Sequence, residues 1–160
     1  MILKTSRCQI QKFSESHIKT AVPLFTNEQV RAFLGGPITA DWAERRLVRW
    51  ATEESDSKYF AIKLFDGTFI GFIDISPYHE PGKQELSYLF LPEFWGHGYA
   101  LETCQAVLRY CSEELHMDTI VAETQSANTR SRALLEKLGF TLTLQLERFG
   151  AMQCVYEKRL

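Results

Sequence analysis

"FLPEFWGHGYALE", residues 90–102, sets two glycines, a tryptophan and a proline between an apolar run and a segment with helical spacing. A strand, a glycine-rich turn and a long helix together make an anion site. The first helical N–H groups have no internal partner, and the helix dipole adds partial positive charge there. Gly96 and Gly98 remove side chains that would block close approach and permit positive φ. N–H groups from about His97 to Ala100 can therefore converge on one pyrophosphate. A P-loop is excluded, because neither its lysine nor its second spaced glycine follows Gly96. A dinucleotide turn has some support, since Glu123 ends a strand about 25 residues on. Against it, Leu101 stands where the third glycine belongs, "PEFW" separates strand from glycine, and repeated βαβ units are missing. A tight turn without a ligand is the remaining alternative.

Downstream of the turn, Leu101, Cys104, Leu108, Cys111 and Leu115 recur in steps of three and four, one apolar stripe on a helix over 99–115. Upstream, "KYFAIKLF", "DGTFIGFIDIS" and "QELSYLFL" are β-branched or aromatic runs, the first two joined at "DG", and they predict three antiparallel strands. "DTIVAET" is a further strand. "NTRSRALLEKLGF" is a helix closed by Gly139, and "TLTLQLE" and "CVYEKRL" are two closing strands. At the start, "TSRCQIQKF" reads as one first strand, followed by a short helix interrupted near Pro23. A second helix, "NEQVRAFL", opens on Asn27 and stops at Gly35 and Gly36. A longer amphipathic helix follows in "TADWAERRLVRWATEE", with Thr39 as its cap.

The chain has 160 residues, enough for one domain over 1–160 with a core that needs no disulfide or metal. Hydrophobic residues at 45% and charged residues at 24% exclude a disordered or membrane-embedded chain. The apolar stretches fall far below the roughly 20 residues of a bilayer span. No signal-peptide pattern opens the sequence, so the expected compartment is the cytoplasm. Cys8, Cys104, Cys111 and Cys154 form no C-x-x-C pair, and the four histidines no H-x-x-x-H arrangement, so reduced packing cysteines and no metal are expected. A net charge of −2 gives no electrostatic reason to bind nucleic acid and fits a cationic or neutral small partner better.

The sequence also resembles a known family. "WGHGYA" looks like the acetyl-CoA pyrophosphate loop of the GNAT N-acetyltransferases, whose pattern Q/R-x-x-G-x-G/A is met at Gly98 and Ala100, with Trp95 at the Gln/Arg position. "YLFLPEFWGHGYALE" is similar to the "GYWLxPExWGxGYAxEA" form of the RimJ/RimL branch, which acetylates ribosomal-protein N-termini. "LKTSR" at 3–7 looks like that branch's opening L-x-T-x-R, and "NTRSRALLEKLGF" is close to its N-x-x-S-x-x-L-x-E-x-x-G-F. The resemblance implies a mixed α/β GNAT fold, a mostly antiparallel twisted sheet splayed between its fourth and fifth strands and flanked by helices on both faces. It further implies acetyl-CoA as cofactor. Pantetheine would lie in the splay beside Leu89, Phe90 and Leu91, with the pyrophosphate on Gly96, His97, Gly98, Tyr99 and Ala100. Asn128 would hold the pantetheine arm; on its own spacing it is also a good N-cap.

Acetyl transfer to an amine needs a neutral amine, a stabilised oxyanion and a way out for the thiolate. Ser131, three residues after Asn128 and four before Leu135, is the candidate proton donor, where many GNAT enzymes have a tyrosine. Bonding its own backbone is the ordinary alternative for a helix serine. Glu85, sharing a face with Ser87 and Leu89, is the candidate base or else a solvated edge residue. Nothing in the sequence fixes the direction of His79, Asp74 or Glu123. Phe33, Leu34 and Trp42 line the acceptor wall or belong to the core. The expected acceptor is a primary amine, either a protein N-terminus or a small amine, and the expected assembly a monomer or homodimer. An acyl-CoA-binding or sensing module without catalysis is the rival reading.

Overall fold

Alternating burial along the middle of the chain builds a sheet that separates two cores. In a computed structural model describing residues 2–160, the strands are β1 Ile2–Lys4, β2 Cys8–Lys12, β3 Lys58–Leu64, β4 Phe69–Pro77, β5 Gln84–Phe90, β6 Thr119–Gln125, β7 Thr141–Arg148 and β8 Ala151–Arg159. The helices are α1 Ile18–Thr26, α2 Ala40–Thr52, α3 Tyr99–Glu113 and α4 Thr129–Lys137. One eight-stranded sheet runs β1-β2-β3-β4-β5-β6-β8-β7, antiparallel everywhere except between β5 and β6. This is the mixed, mostly antiparallel α/β architecture expected.

Phe60, Ile62, Ile73 and Ile75 point to one face of the sheet, where Cys104, Val107, Leu108 and Cys111 of α3 and Leu135 of α4 cover them. Ala61 and Phe72 point to the other face and pack with Leu24 and Phe25 of α1 and Ala43 and Leu47 of α2. Trp50 seals that second core by stacking on Tyr59 and Phe72, with ring centroids 4.9 and 5.3 Å apart. The period-two alternation of the strands thus decides which helix pair each side chain meets. All four cysteines are buried free thiols.

The "DG" turn joins β3 to β4 with Gly67 at φ 92°, and Thr39 caps α2 through a bond from the Trp42 amide, as the sequence implied. Three segments differ from expectation. The single first strand is a hairpin, β1–β2, because Thr5 accepts from and donates to Cys8 and folds the chain at Ser6 and Arg7. The expected fourth and fifth strands are consequently β5 and β6. Helix α1 runs through Pro23 to Thr26, held by the buried Leu24 and Phe25. The helix expected from Asn27 is a run of turns: after the Arg31 to Asn27 bond, the amides of Leu34 and Gly36 both return to the Arg31 carbonyl. Gly35 and Gly36, both at φ 84°, end it before helical bonds can accumulate.

Candidate active site

The bare turn opens an uncapped helix. Strand β5 ends at Phe90, whose carbonyl accepts from Trp95 Nε1 at 2.8 Å, and Gly96 (φ 76°) and Gly98 (φ 80°) then lead into α3. Gly98 is the N-cap and offers no side-chain acceptor to the first turn, so those amides remain available to a ligand. A β-carbon at Gly96 would meet nothing within 4 Å, and one at Gly98 would meet only Arg7 Nη2 at 3.3 Å. Both glycines are needed for their positive φ and for the open space in front of the amides. The β1–β2 turn braces this loop from outside. Arg7 donates from Nε to Glu102 Oε2 at 2.7 Å and from Nη1 to the His97 carbonyl at 2.8 Å. Its backbone amide reaches Glu102 Oε1 at 2.9 Å, and its guanidinium lies 4.3 Å from the Tyr99 ring centre.

Strands β5 and β6 part almost as soon as they meet. Their only registered pair is Glu85 with Val121, whereas β5 stays paired to β4 as far as Phe90 and β6 to β8 as far as Gln125. Backbone groups on the facing edges are therefore left for another partner. The gap belongs to a cleft of about 740 Å³ that reaches both faces of the sheet. On the α3–α4 face it is bounded by the glycine turn, Asn128 and Ser131; on the α1–α2 face by Asp74, Phe33, Leu34 and Trp50.

Asn128 caps α4, its Oδ1 accepting from the Ser131 amide at 3.2 Å. One turn in, Ser131 Oγ lies 2.7 Å from the Tyr88 hydroxyl, which comes from the β5 face shared with Leu86 and Phe90. Burial raises the Tyr88 pKa, with the Ser131 bond opposing. Tyr88 thus stays protonated and can share its hydroxyl with Ser131 as a hydrogen bond. At the mouth, the Arg130 guanidinium stacks 4.4 Å from the Trp95 ring centre, a cation–π contact across the cleft.

On the opposite face three carboxyl groups converge. Asp74 stands across from Ser87 in the β4–β5 register and accepts from Ser76 Oγ at 3.0 Å through Oδ2. Burial pushes Asp74 up to about 7 against the pull of that bond. Glu85 is also pushed up to about 7, first by burial and then by the charges of Glu123 and Asp74. Glu123, with a side chain only 7% exposed, faces Arg148 Nε at 3.3 Å, yet its Oε1 has no well-directed hydrogen bond. Two carboxyls near 7 beside Glu123 form a proton acceptor poised for neutral pH.

Of the residues nominated from sequence, Leu89, Phe90, Gly96, Gly98, Tyr99, Ala100, Asn128, Ser131, Phe33 and Leu34 all line the cleft. The His97 carbonyl is turned to Arg7, and the Leu91 amide bonds the Ile70 carbonyl. Glu85 lies behind the cleft wall, whereas Asp74 and Glu123 are on it. Trp42 is 66% exposed on the outer side of α2 and away from the cleft, because Ala43, Leu47 and Trp50 are the residues that α2 turns inward. Tyr88 and Arg31 also line the cleft, outside the set expected from sequence. Period two places Tyr88 opposite Glu85 and so toward α4, which is the available signal for it; Arg31 had none beyond its place before two glycines.

The family profile Acetyltransferase (GNAT) domain matches residues 7–141. The uncharacterized N-acetyltransferase YoaA of Bacillus subtilis is 28% identical over 153 residues, covering 87% of this chain and 82% of its own. A GNAT-family acetyltransferase from Bacillus anthracis superposes with a TM-score of 0.86 at 22% identity, covering 99% of this chain and 98% of that one. An acetyl transferase from Salmonella typhimurium that modifies the N-terminal serine of ribosomal protein L7/L12 superposes at 0.83 with 15% identity, over 100% and 99% of the two chains. At these identities the structural likenesses are likenesses of fold.

Proposed function

This chain belongs to the GNAT acetyltransferases, and we propose that it transfers acetyl from acetyl-CoA to a primary amine by direct attack in a ternary complex. The observation that carries this reading is the single cleft crossing the sheet where β5 and β6 part, with the glycine turn and Ser131 on one face and Asp74 on the other. Acetyl-CoA is the donor used by this family, and the residues present suit it. Uncapped amides at Gly98 to Ala100 suit a pyrophosphate, unpaired strand edges suit the pantetheine amides, and Asn128 borders the path between them.

When bound, acetyl-CoA supplies a thioester carbonyl and a thiol leaving group of pKa about 8.5. Asp74, backed by Glu85, would take the proton that the acceptor ammonium loses before its neutral amine attacks. Ser131 Oγ would hold a proton for the departing sulfur, and the Tyr88 hydroxyl would orient that serine through their shared hydrogen bond. The unpaired edge of β5 near Phe90 would supply amides to stabilise the oxyanion. Phe33 and Leu34 shield the acceptor side from water.

An α-amine of pKa about 8 is roughly a tenth neutral at pH 7, whereas a lysine amine of pKa about 10.4 is neutral at well under 0.1%. A weak carboxylate base therefore suits an α-amine, and with the RimJ/RimL-like motifs at 3–7 and 128–140 this favours a protein N-terminus or a small α-amine. We place the reaction in the cytoplasm, carried out by one domain over 1–160 as a monomer or homodimer. Among the described residues no helix is long and apolar enough to cross a membrane. The test is thiol release from acetyl-CoA over a panel of amines and peptides, with the acetylated product identified by mass. Release on one amine class supports the reading. Acetyl-CoA binding with no release from any amine would replace it with a non-catalytic acyl-CoA-binding module.

A further inference from the structure

The acceptor wall holds two arginines, Arg31 and Arg46, that make no ion pair among the described residues. The turn after α1 is wrapped around its own arginine: Arg31 donates from Nε to the Gly36 carbonyl at 2.9 Å and from Nη2 to the Leu34 carbonyl at 2.7 Å. Both carbonyls are brought round by Gly35 and Gly36 at φ 84°, a conformation that other residues adopt only with strain. Gln125 Nε2 fixes the same turn to β6 by donating to the Phe33 carbonyl at 3.0 Å. Carbonyl groups orient a guanidinium and leave its charge in place. Of its five N–H groups two are used in this way, so three remain for a ligand.

Arg46 of α2 lines the cleft beside Arg31. On the same helix, Arg45 pairs with Asp41 at 3.1 Å and Arg49 with Glu53 at 3.4 Å, but Arg46 makes no ion pair among the described residues. Arg31 makes none either. Burial and the Arg46 charge both lower the Arg31 pKa, so the two cations stand close enough to repel, an unfavourable interaction that an anion between them relieves. Both lie on the α1–α2 side of the cleft, across the sheet from the glycine turn. Asp74 and Glu123 border the same cleft. Carboxylates that attract an ammonium and arginines that attract an anion thus share one acceptor wall.

We propose that the acceptor is a primary amine that also carries a carboxylate, as an amino acid or an acidic peptide N-terminus does, and that Arg31 and Arg46 receive that carboxylate. This rests on the acetyl-transfer reading above and deepens it by naming the acceptor's second group. Arg31 is the stronger element, because a guanidinium of fixed orientation binds a carboxylate through two parallel N–H groups.

Steady-state thiol release at saturating acetyl-CoA tests it with matched acceptors: L-amino acids against their α-carboxamides, and tripeptides with Asp against Asn at the second position. The expected result is a kcat/KM preference of roughly tenfold or more for the carboxylate member of at least one pair set. The set that shows it distinguishes a free amino acid from a peptide. In Arg46→Gln and Arg31→Gln this ratio should fall toward one through a higher KM for the carboxylate member, with acetyl-CoA affinity by calorimetry unchanged. If Arg31→Gln fails to fold, Arg46→Gln on the exposed helix face decides. Equal rates on carboxylate and carboxamide, or a ratio that survives Arg46→Gln in full, would overturn the proposal and leave acetyl transfer standing. Acetyl-CoA binding without release from any acceptor would overturn acetyl transfer itself and this proposal with it.

Discussion

The Tyr88 hydroxyl lies 2.7 Å from Ser131 Oγ, joining the strand that opens the cleft to the helix that lines it. Tyr88 is held protonated by burial, so the bond fixes the Ser131 hydroxyl at the cleft and Tyr88 keeps its own proton. Ser131→Ala is therefore expected to slow turnover, and Tyr88→Phe to slow it less, by roughly three- to tenfold, since a thiol leaves with modest help. Acetyl-CoA affinity should stay within about twofold in both. Wild-type kcat in Tyr88→Phe would reduce the contact to packing.

The pair Asp74 and Glu85 sets the pH dependence. Both carboxyls are raised to about 7, and the charged form is the one that accepts a proton, so kcat/KM should climb with pH through about 7. The two titrate together, and the limb belongs to the pair. In Asp74→Asn the rate should fall and the limb move. Stability runs the other way: a carboxyl whose folded pKa lies above its unfolded one favours the fold when protonated, and that contribution is lost as pH rises through about 7. Asp74→Asn should accordingly raise Tm at pH 8, with the gain vanishing near pH 4. A variant less stable than wild type at pH 8 would contradict the burial assigned to Asp74.

Arg7 acts on the glycine turn and not on the reacting groups. Removing it releases the His97 carbonyl, the Tyr99 ring and Glu102 together. Arg7→Ala should weaken acetyl-CoA binding by roughly tenfold, about 1.4 kcal/mol, while kcat at saturation stays within about twofold. A drop in kcat at unchanged affinity would show that Arg7 does something other than order the loop.

Gly71 tests the packing beneath the splay. A β-carbon there would lie 2.5 Å from Phe90 Cδ1 and 2.8 Å from the Leu89 carbonyl, so β5 would have to shift from β4. Gly71→Ala should destabilise the protein by about 1–3 kcal/mol in urea unfolding. Unchanged stability would mean that β5 yields easily at the edge of the cleft.

What could be read from the sequence is what local chemistry determines. The glycine turn, the α3 stripe, the "DG" hairpin and the Asn128 cap each depend on residues within one or two turns of chain, and all appear in the structure. The β1–β2 hairpin was hidden because Thr5 and Cys8 form it by side-chain bonding in a stretch that alternates like one strand. The Asn27 segment followed a helical pattern but is governed by two glycines and the Arg31 side chain. Period two assigned Glu85 to the correct face, yet the strand register and the parting of β5 from β6 decide which carboxyl meets the cleft, and those are long-range. Trp42 and Trp50 both look apolar on α2; only the packing of Trp50 on Tyr59 and Phe72 shows which one turns inward.

The most direct measurement is a calorimetric titration of acetyl-CoA into the wild-type protein and into Gly98→Asp. The substitution places a carboxylate at a φ of 80° in front of the first amides of α3, where it strains the turn and repels phosphate. Micromolar binding by the wild type that is lost in a folded Gly98→Asp is the predicted result. Equal affinity in the two proteins, or no binding by the wild type, would contradict the assignment of this cleft to acetyl-CoA.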